Sequence, residues 1–245
     1  MSAPSRGPST ARRIDLNADL GEGVTDDTGL LAVVTSANVA CGFHAGDETV
    51  MRAVCEGAAA RGVVVGAQVS YRDREGFGRR AMDVEPGVLA GWVAEQVAAL
   101  RQAADHAGIV VAYVKPHGAL YNRVVEDAGQ AEAVLEGSDD LPVLGLPGSA
   151  LLELAARHRR TVVPEGFPDR GYTPDGRLVP RDEPGALVED PERVAANAVA
   201  LAESGSVRTV CVHGDSPDAV RTAAAVRRSL VGAGFDLRPW LDDAG

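Results

Sequence analysis

Short apolar, β-branched runs alternate along this chain with longer Ala-rich stretches of helical spacing. The runs predict strands over Arg13–Asn17, Ser36–Cys41, Val63–Val69, Val110–Lys115, Pro142–Leu146, Thr161–Glu165 and Thr209–His213, with Asp236–Trp240 as an eighth. Helices are expected over Thr49–Ala60, Pro86–His106, Glu126–Glu136, Ala150–His158, Pro191–Glu203 and Pro217–Val231. Punctuation agrees: Asp47 supplies an early-turn acid, Gly62 a stop, Pro86 an opening and Gly108 an end. Seven or eight βα units without a linker or fixed repeat imply parallel strands under covering helices. A closed barrel and a doubly wound open sheet both satisfy that pattern. Polar clusters follow nearly every strand instead of gathering at one crevice, which favours an α/β fold closed as a (β/α) barrel of seven to eight strands. One domain is expected over 13–245, after a loose tail of residues 1–12. The segment Gly166–Asp190 is too long for a mere connector and reads as a lid or binding loop.

Composition removes whole classes. The 245 residues are 45 % hydrophobic and 24 % charged, ordinary values for a globular chain. A net charge of −11 argues against nucleic acid, which needs a basic footprint. No apolar run approaches the roughly 18 residues of a membrane span. Cys41, Cys55 and Cys211 are widely spaced and form no CxxC, so a reduced, cytoplasmic setting is expected. Lys115 is the only lysine among 24 basic residues. Where this chain needs a generic cation it uses arginine, so the compact ammonium of Lys115 stands out.

The chemistry-bearing residues cluster at strand ends. Asp15, Asn17 and Asp19 alternate along the first strand and can share one face. Buried polar groups on that face need partners or a ligand. His44 lies in a glycine-flanked loop after the second strand, where an imidazole can ligate metal or move protons. Gln68 lies near the end of the third strand and Tyr71 just past it, and the loop beyond carries Arg79, suited to a carboxylate or phosphate. Lys115 and His117 stand two apart at the fourth strand end, near Asn122, a pairing suited to anion binding or acid–base work. Glu165 ends another strand, with Asp169 and Arg170 in the long loop after it. His213 and Asp215 repeat the two-apart spacing, although Asp215 or Ser216 could simply cap a helix. Asp15, Asn17, His44, Lys115, His117, Glu165, His213 and Asp215 are the candidate catalytic residues. Asp19, Gln68, Tyr71, Arg79, Asn122, Asp169 and Arg170 are the candidate binding residues. The set describes a site that takes a small polar anion and activates water or a carbonyl. No Walker A loop, G-x-S-x-G elbow, HExxH helix or Rossmann fingerprint is present.

At these residues the chain resembles the LamB/YcsF family of lactam-utilisation proteins, the A subunits of the prokaryotic 5-oxoprolinase. The matching strings are IDLNADLGEG (14–23), SANVACGFHAGDE (36–48), GFGRR (76–80), VKPHGALYN (114–122), EGFPDRGY (165–172), LVPRDEPGA (178–186) and VCVHGDSP (210–217). They run in family order over nearly the whole chain. The resemblance implies a barrel like that of glycoside hydrolases and deacetylases. It also implies opening of 5-oxo-L-proline to L-glutamate with ATP, accompanied by Mg²⁺, cleaved to ADP and phosphate, in a complex with two further subunits, B and C. ATP would drive the ring opening by activating the amide oxygen.

Three departures stand out. The family commonly has His-Pro where this chain has Gln68-Val69, and Gln is a poor transition-metal ligand, which counts against a metal there. Pro168 replaces a usual Ala, and the loop after Gly23 is shorter. Two rival readings share the residues: a metal-dependent deacetylase of a small amide or sugar, and a non-catalytic substrate-binding subunit.

Overall fold

The structure is a computed structural model that describes residues 12–24, 26–215 and 218–243. Residues 1–11 of the expected tail, Ser216 and Pro217 lie outside the described residues, while Arg12 already opens the first strand. The strands are β1 (Arg12–Leu20), β2 (Ser36–Ala40), β3 (Val64–Val69), β4 (Val111–Pro116), β5 (Val143–Gly145), β6 (Val162–Gly166), β7 (Thr209–Val212) and β8 (Phe235–Leu237). The helices are α1 (Asp27–Leu31), α2 (Glu48–Ala59), α3 (Pro86–Ala107), α4 (Gly118–Arg123), α5 (Ala128–Gly137), α6 (Ala150–Arg157), α7 (Pro191–Ser204) and α8 (Ala219–Gly232). Strands pair in parallel with their chain neighbours, and β1 pairs with both β2 and β7. Seven strands therefore close a barrel, and the open sheet is excluded. Among the described residues β8 pairs only with Arg12–Ile14 of β1, so it extends one rim and takes no place in the circumference. The expected eighth strand ran on to Trp240. Pro239 follows the real one, and Trp240 opens a 3₁₀ turn, packed edge-on to Tyr113 at 5.9 Å.

Local chemistry sets the helix ends. Glu85 accepts from the Val88 N–H, Pro86 occupies the first turn of α3, and Gly108 ends it at φ 69°. Asp47 caps α2 through the Val50 N–H, and so stands just before the helix instead of within its first turn. Asp190, Pro191 and Gly205 repeat the scheme on α7. The sequence pattern omitted α1 and α4, which span five and six residues, too short to show a period.

The apolar core lies between sheet and helices, from Leu16 and Val39 to Leu100 and Val226, all essentially inaccessible. The barrel interior is polar instead. Gly66 makes room there: a Cβ at that position would sit 2.1 Å from the Tyr113 ring. The ring crosses inside, and its hydroxyl donates to Asn38 Oδ1 at 2.7 Å. The C-terminal strand ends and the loop between β6 and α7 frame the opposite rim, where barrels carry their sites.

Candidate active site

Polar side chains climb the barrel in levels. At the base, Asp15 accepts from the hydroxyls of Thr35 at 2.6 Å and Ser36 at 2.7 Å, and also from Thr209. Burial pushes its carboxyl up to about 6, against the pull of those hydroxyls. One level up, Asn17 donates to Glu165 Oε1 at 2.9 Å and Thr209 at 2.7 Å, while Asn38 donates to Asn17 at 2.7 Å and Asp19 at 2.9 Å.

Lys115 stands at the centre, 2 % exposed. Its Nζ donates to Glu165 Oε1 at 2.8 Å, Cys211 Sγ at 3.0 Å and Asp19 Oδ1 at 3.3 Å. Burial alone would lower its pKa, but Asp19 and Glu165 hold the ammonium well above its ordinary range. Burial likewise works to raise Asp19, yet Lys115, then His213 and His117, hold its carboxyl well below the usual range. The contact between Lys115 and Asp19 thus favours the charged form of each. Glu165 Oε2 is buried without a hydrogen-bond partner among the described residues.

Above them lies a cavity of about 50 Å³. Asp19, Lys115, His117, Tyr121, Asn122, Phe167 and His213 line it, with Arg79, Arg170 and Arg181 at the rim. The Tyr121 hydroxyl is buried and has no hydrogen-bond partner among the described residues. His213 Nδ1 bonds Asp169 Oδ2 at 2.9 Å, and Asp169 also takes the His213 backbone N–H at 2.9 Å. This fixes Nδ1 as the donor and leaves Nε2 to titrate. Burial opposes the imidazolium, but the Asp169 carboxylate outweighs it and raises the His213 pKa.

A second cluster lies behind His117. Its Nε2–H donates to the Phe77 carbonyl at 3.1 Å, so Nδ1 is the lone-pair nitrogen. The Gln68 amide donates to that Nδ1 at 2.9 Å and to Glu22 Oε1 at 3.1 Å, and its oxygen accepts from His44 Nε2 at 3.2 Å. Burial, then the neighbouring His44, holds His117 well below its ordinary pKa. Phe77 turns left-handed at φ 56° to lay this loop over both imidazoles. Gly78 follows at φ 67°, where a Cβ would lie 2.9 Å from His44 Cβ.

Glu22, His44 and His117 are the described group that comes nearest to a metal-ligand set. Gln68 already satisfies an atom of each. The two imidazoles stack at 4.0 Å and within 12° of parallel, and the candidate ligand atoms of all three residues lie within 4.8 Å of one another. Two imidazoles and a carboxylate are donors that a transition-metal ion accepts, and here Gln68 bonds all three.

Of the expected residues, Asp19, Arg79, Lys115, His117, Asn122, Arg170 and His213 line one cavity. Asn17 and Glu165 hold Lys115, Asp169 holds His213, Asp215 pairs with Arg79, and His44 and Gln68 back His117. Two expectations need correction. Asp15 lies below the reach of the cavity with its oxygens taken by hydroxyls. Tyr71 is outside the barrel, its hydroxyl on Gln130 of α5 at 3.1 Å, because it follows the end of β3, where strand alternation no longer applies. Glu22, Tyr121, Arg181 and Cys211 join the site without having been candidates. Glu22 stands just past the end of β1, and the turn at Gly21 (φ 74°) brings it inward.

The LamB/YcsF family profile matches residues 14–244. The 5-oxoprolinase A subunit of Streptomyces coelicolor is 59 % identical over 245 residues, covering 91 % of this chain and 98 % of that protein. The 5-oxoprolinase A subunit of Mycobacterium avium is 52 % identical, with coverage of 92 % and 98 %. Among solved structures, the lactam utilization protein of Thermus thermophilus superposes with a TM-score of 0.86 at 37 % identity, covering 92 % of this chain and 99 % of that one. The catalytic domain of a peptidoglycan N-acetylglucosamine deacetylase from Eubacterium rectale shares the fold alone, with a TM-score of 0.55 at 14 % identity over 97 % of this chain and 92 % of that one. With its profile matched almost end to end, the chain is a member of the LamB/YcsF family.

Proposed function

We propose that this chain is the A subunit of an ATP-dependent 5-oxoprolinase and that its cavity is where 5-oxo-L-proline is opened to L-glutamate. One observation carries the reading: a chain matched over nine-tenths of its length by 5-oxoprolinase A subunits holds a buried cation and an Asp–His pair on one small cavity. Ring opening adds water to the lactam carbonyl carbon and breaks the C–N bond. His213 Nε2, with Nδ1 held by Asp169, takes the proton from water and returns it to the departing nitrogen. The Lys115 ammonium and the Tyr121 hydroxyl are the donors for the oxyanion that forms. The arginine rim draws in an anionic substrate. ATP, with Mg²⁺, supplies the driving force, and two partner subunits complete the complex in a cytoplasmic setting.

Gln68, which bonds Glu22, His44 and His117 and is a poor metal ligand itself, weighs against the deacetylase reading. The test is glutamate release from 5-oxo-L-proline, with and without ATP, using the chain alone and mixed with its B and C subunits. Release that requires ATP and the partners supports the proposal. No release from a folded, verified mixture overturns it.

A further inference from the structure

The cavity sets an anion and a cation side by side. Asp19 comes from the end of β1 and Lys115 from the end of β4, and both line the same space. The two oxygens of Asp19 are not equivalent. Oδ1 takes the bonds from Asn38 at 2.9 Å and Lys115 at 3.3 Å, which hold the carboxyl group in one orientation. Oδ2 has no hydrogen-bond partner among the described residues. Unlike Glu165 Oε2 it is not sealed off, so it is the oxygen that opens on the cavity. On the cation, Nζ bonds Glu165 at 2.8 Å and Cys211 at 3.0 Å. Its longer bonds, to Asp19 at 3.3 Å and Asn17 at 3.5 Å, are the ones that yield to an incoming acceptor.

His213 stands on the other flank of Asp19. Ala18 of β1 is in register with Val212 of β7, so the residues that follow them enter the cavity from adjacent strand ends. Gly214 keeps them close: a Cβ there would lie 2.2 Å from the Asp19 carbonyl oxygen. An acceptor that donates nothing thus lies between an ammonium donor and the imidazole given the proton transfers.

One chemical group matches that order along a single edge. A five-membered lactam holds its amide cis, so N–H and C=O point from the same side. An open-chain secondary amide is almost entirely trans and points them apart. A lactone offers only acceptors on that edge, and its ring oxygen would face a carboxylate with no proton between them.

We infer that Asp19 Oδ2 accepts the lactam N–H while Lys115 and Tyr121 take the lactam carbonyl, which makes Asp19 the residue that tells a lactam from a lactone or an open-chain amide. The inference rests on the lactam reading of the cavity. It also gives Asp19 a part in ring opening. As the C–N bond breaks, its electron pair goes to nitrogen and the proton on His213 Nε2 follows. The amine then takes a further proton from solvent, and the resulting ammonium faces the Asp19 carboxylate.

The test is ligand-detected NMR titration of the full chain at neutral pH without ATP. The probes are 5-oxo-L-proline, the γ-lactone with oxygen in place of N–H, the N-methyl lactam, and N-acetyl-L-alanine as the open-chain amide. All four carry the same carboxylate. The lactam should bind about 10- to 150-fold ahead of each analogue, as expected for one hydrogen bond to a charged group. Asp19→Asn keeps the side-chain size but turns an N–H toward the ligand, so it should bind the lactone at least as well as the lactam. The wild-type series stands by itself if that variant does not fold. Equal binding of lactam and lactone, a lactam preference that survives in folded Asp19→Asn, or no binding of the lactam overturns the inference. Glutamate release by the complex separates the two readings. Release without a lactam preference removes this role of Asp19 alone, and a lactam preference without release supports the recognition while removing the ring opening.

Discussion

Lys115→Arg separates a buried cation that merely balances charge from an ammonium that is used. The replacement keeps one positive charge between Asp19 and Glu165, so neither carboxylate is left uncompensated. It inserts a larger planar head where Nζ already has Glu165, Cys211 and Asp19 within 3.3 Å. Overpacking of that kind costs about 1–3 kcal/mol, well inside a domain stability of about 5–15 kcal/mol. At about 2–4 °C per kcal/mol, Tm should fall by roughly 2–12 °C. Turnover should fall far more, by about 100- to 1,000-fold, the usual loss when an oxyanion donor is misplaced. Lys115→Met supplies the contrast, because it strands two buried carboxylates and should cost about 3–5 kcal/mol. The assay is ATP-dependent glutamate release by the reconstituted complex, beside thermal unfolding of each variant. Wild-type turnover in a folded Lys115→Arg protein would refute the role given to the ammonium and mark the single lysine as an accident of arginine-rich coding.

Asp15→Asn should act on stability through pH. Asp15 titrates at about 6 when folded against an ordinary value of 3.8, so its protonated form favours the fold. That contribution is complete below pH 3.8, fades as pH rises through about 6, and amounts to about 3 kcal/mol. Urea unfolding at pH 4.5 and 7.5 should therefore show the wild type losing ground to Asp15→Asn at the higher pH, and a pH-independent gap would contradict it. Asp169→Asn removes the carboxylate that raises the His213 pKa, so the acidic limb of kcat/KM should move to lower pH as the rate drops. Tyr71→Phe should cost about 0.5–1.5 kcal/mol for its bond to Gln130 and leave KM unchanged, and a raised KM would return Tyr71 to the binding site. Metal-stripped protein resupplied only with Mg²⁺ should keep full turnover, whereas a need for added Zn²⁺ or Mn²⁺ would show that a metal and not Gln68 joins Glu22, His44 and His117.

Much of the site was legible because barrel strands place inward residues with period two. Asp15, Asn17 and Asp19 do face one interior, and Lys115 meets Glu165 and Asp19 there as a lone lysine beside strand-end acids would. Alternation says nothing of depth, so Asp15 at the closed end looked equivalent to Asp19 at the mouth. It also fails past the last ladder bond, which is why Tyr71 was misplaced and Glu22 overlooked. Arg181 lies in a segment joined by isolated bridges such as Tyr172 with Leu178, and no periodicity exists there to read. Asp215 was a catalytic candidate by its spacing from His213, but its pairing with arginines 136 and 34 positions away left no mark in the sequence.

The central claim is that ring opening takes place in the barrel of this chain. The most direct measurement rebuilds the complex with wild-type partner subunits and His213→Gln in this chain alone, and follows glutamate release with assembly checked in parallel. The account predicts an intact complex whose turnover is lower by about 100- to 10,000-fold, the range for a lost general acid–base. Undiminished glutamate release from that complex would place the chemistry elsewhere and contradict it.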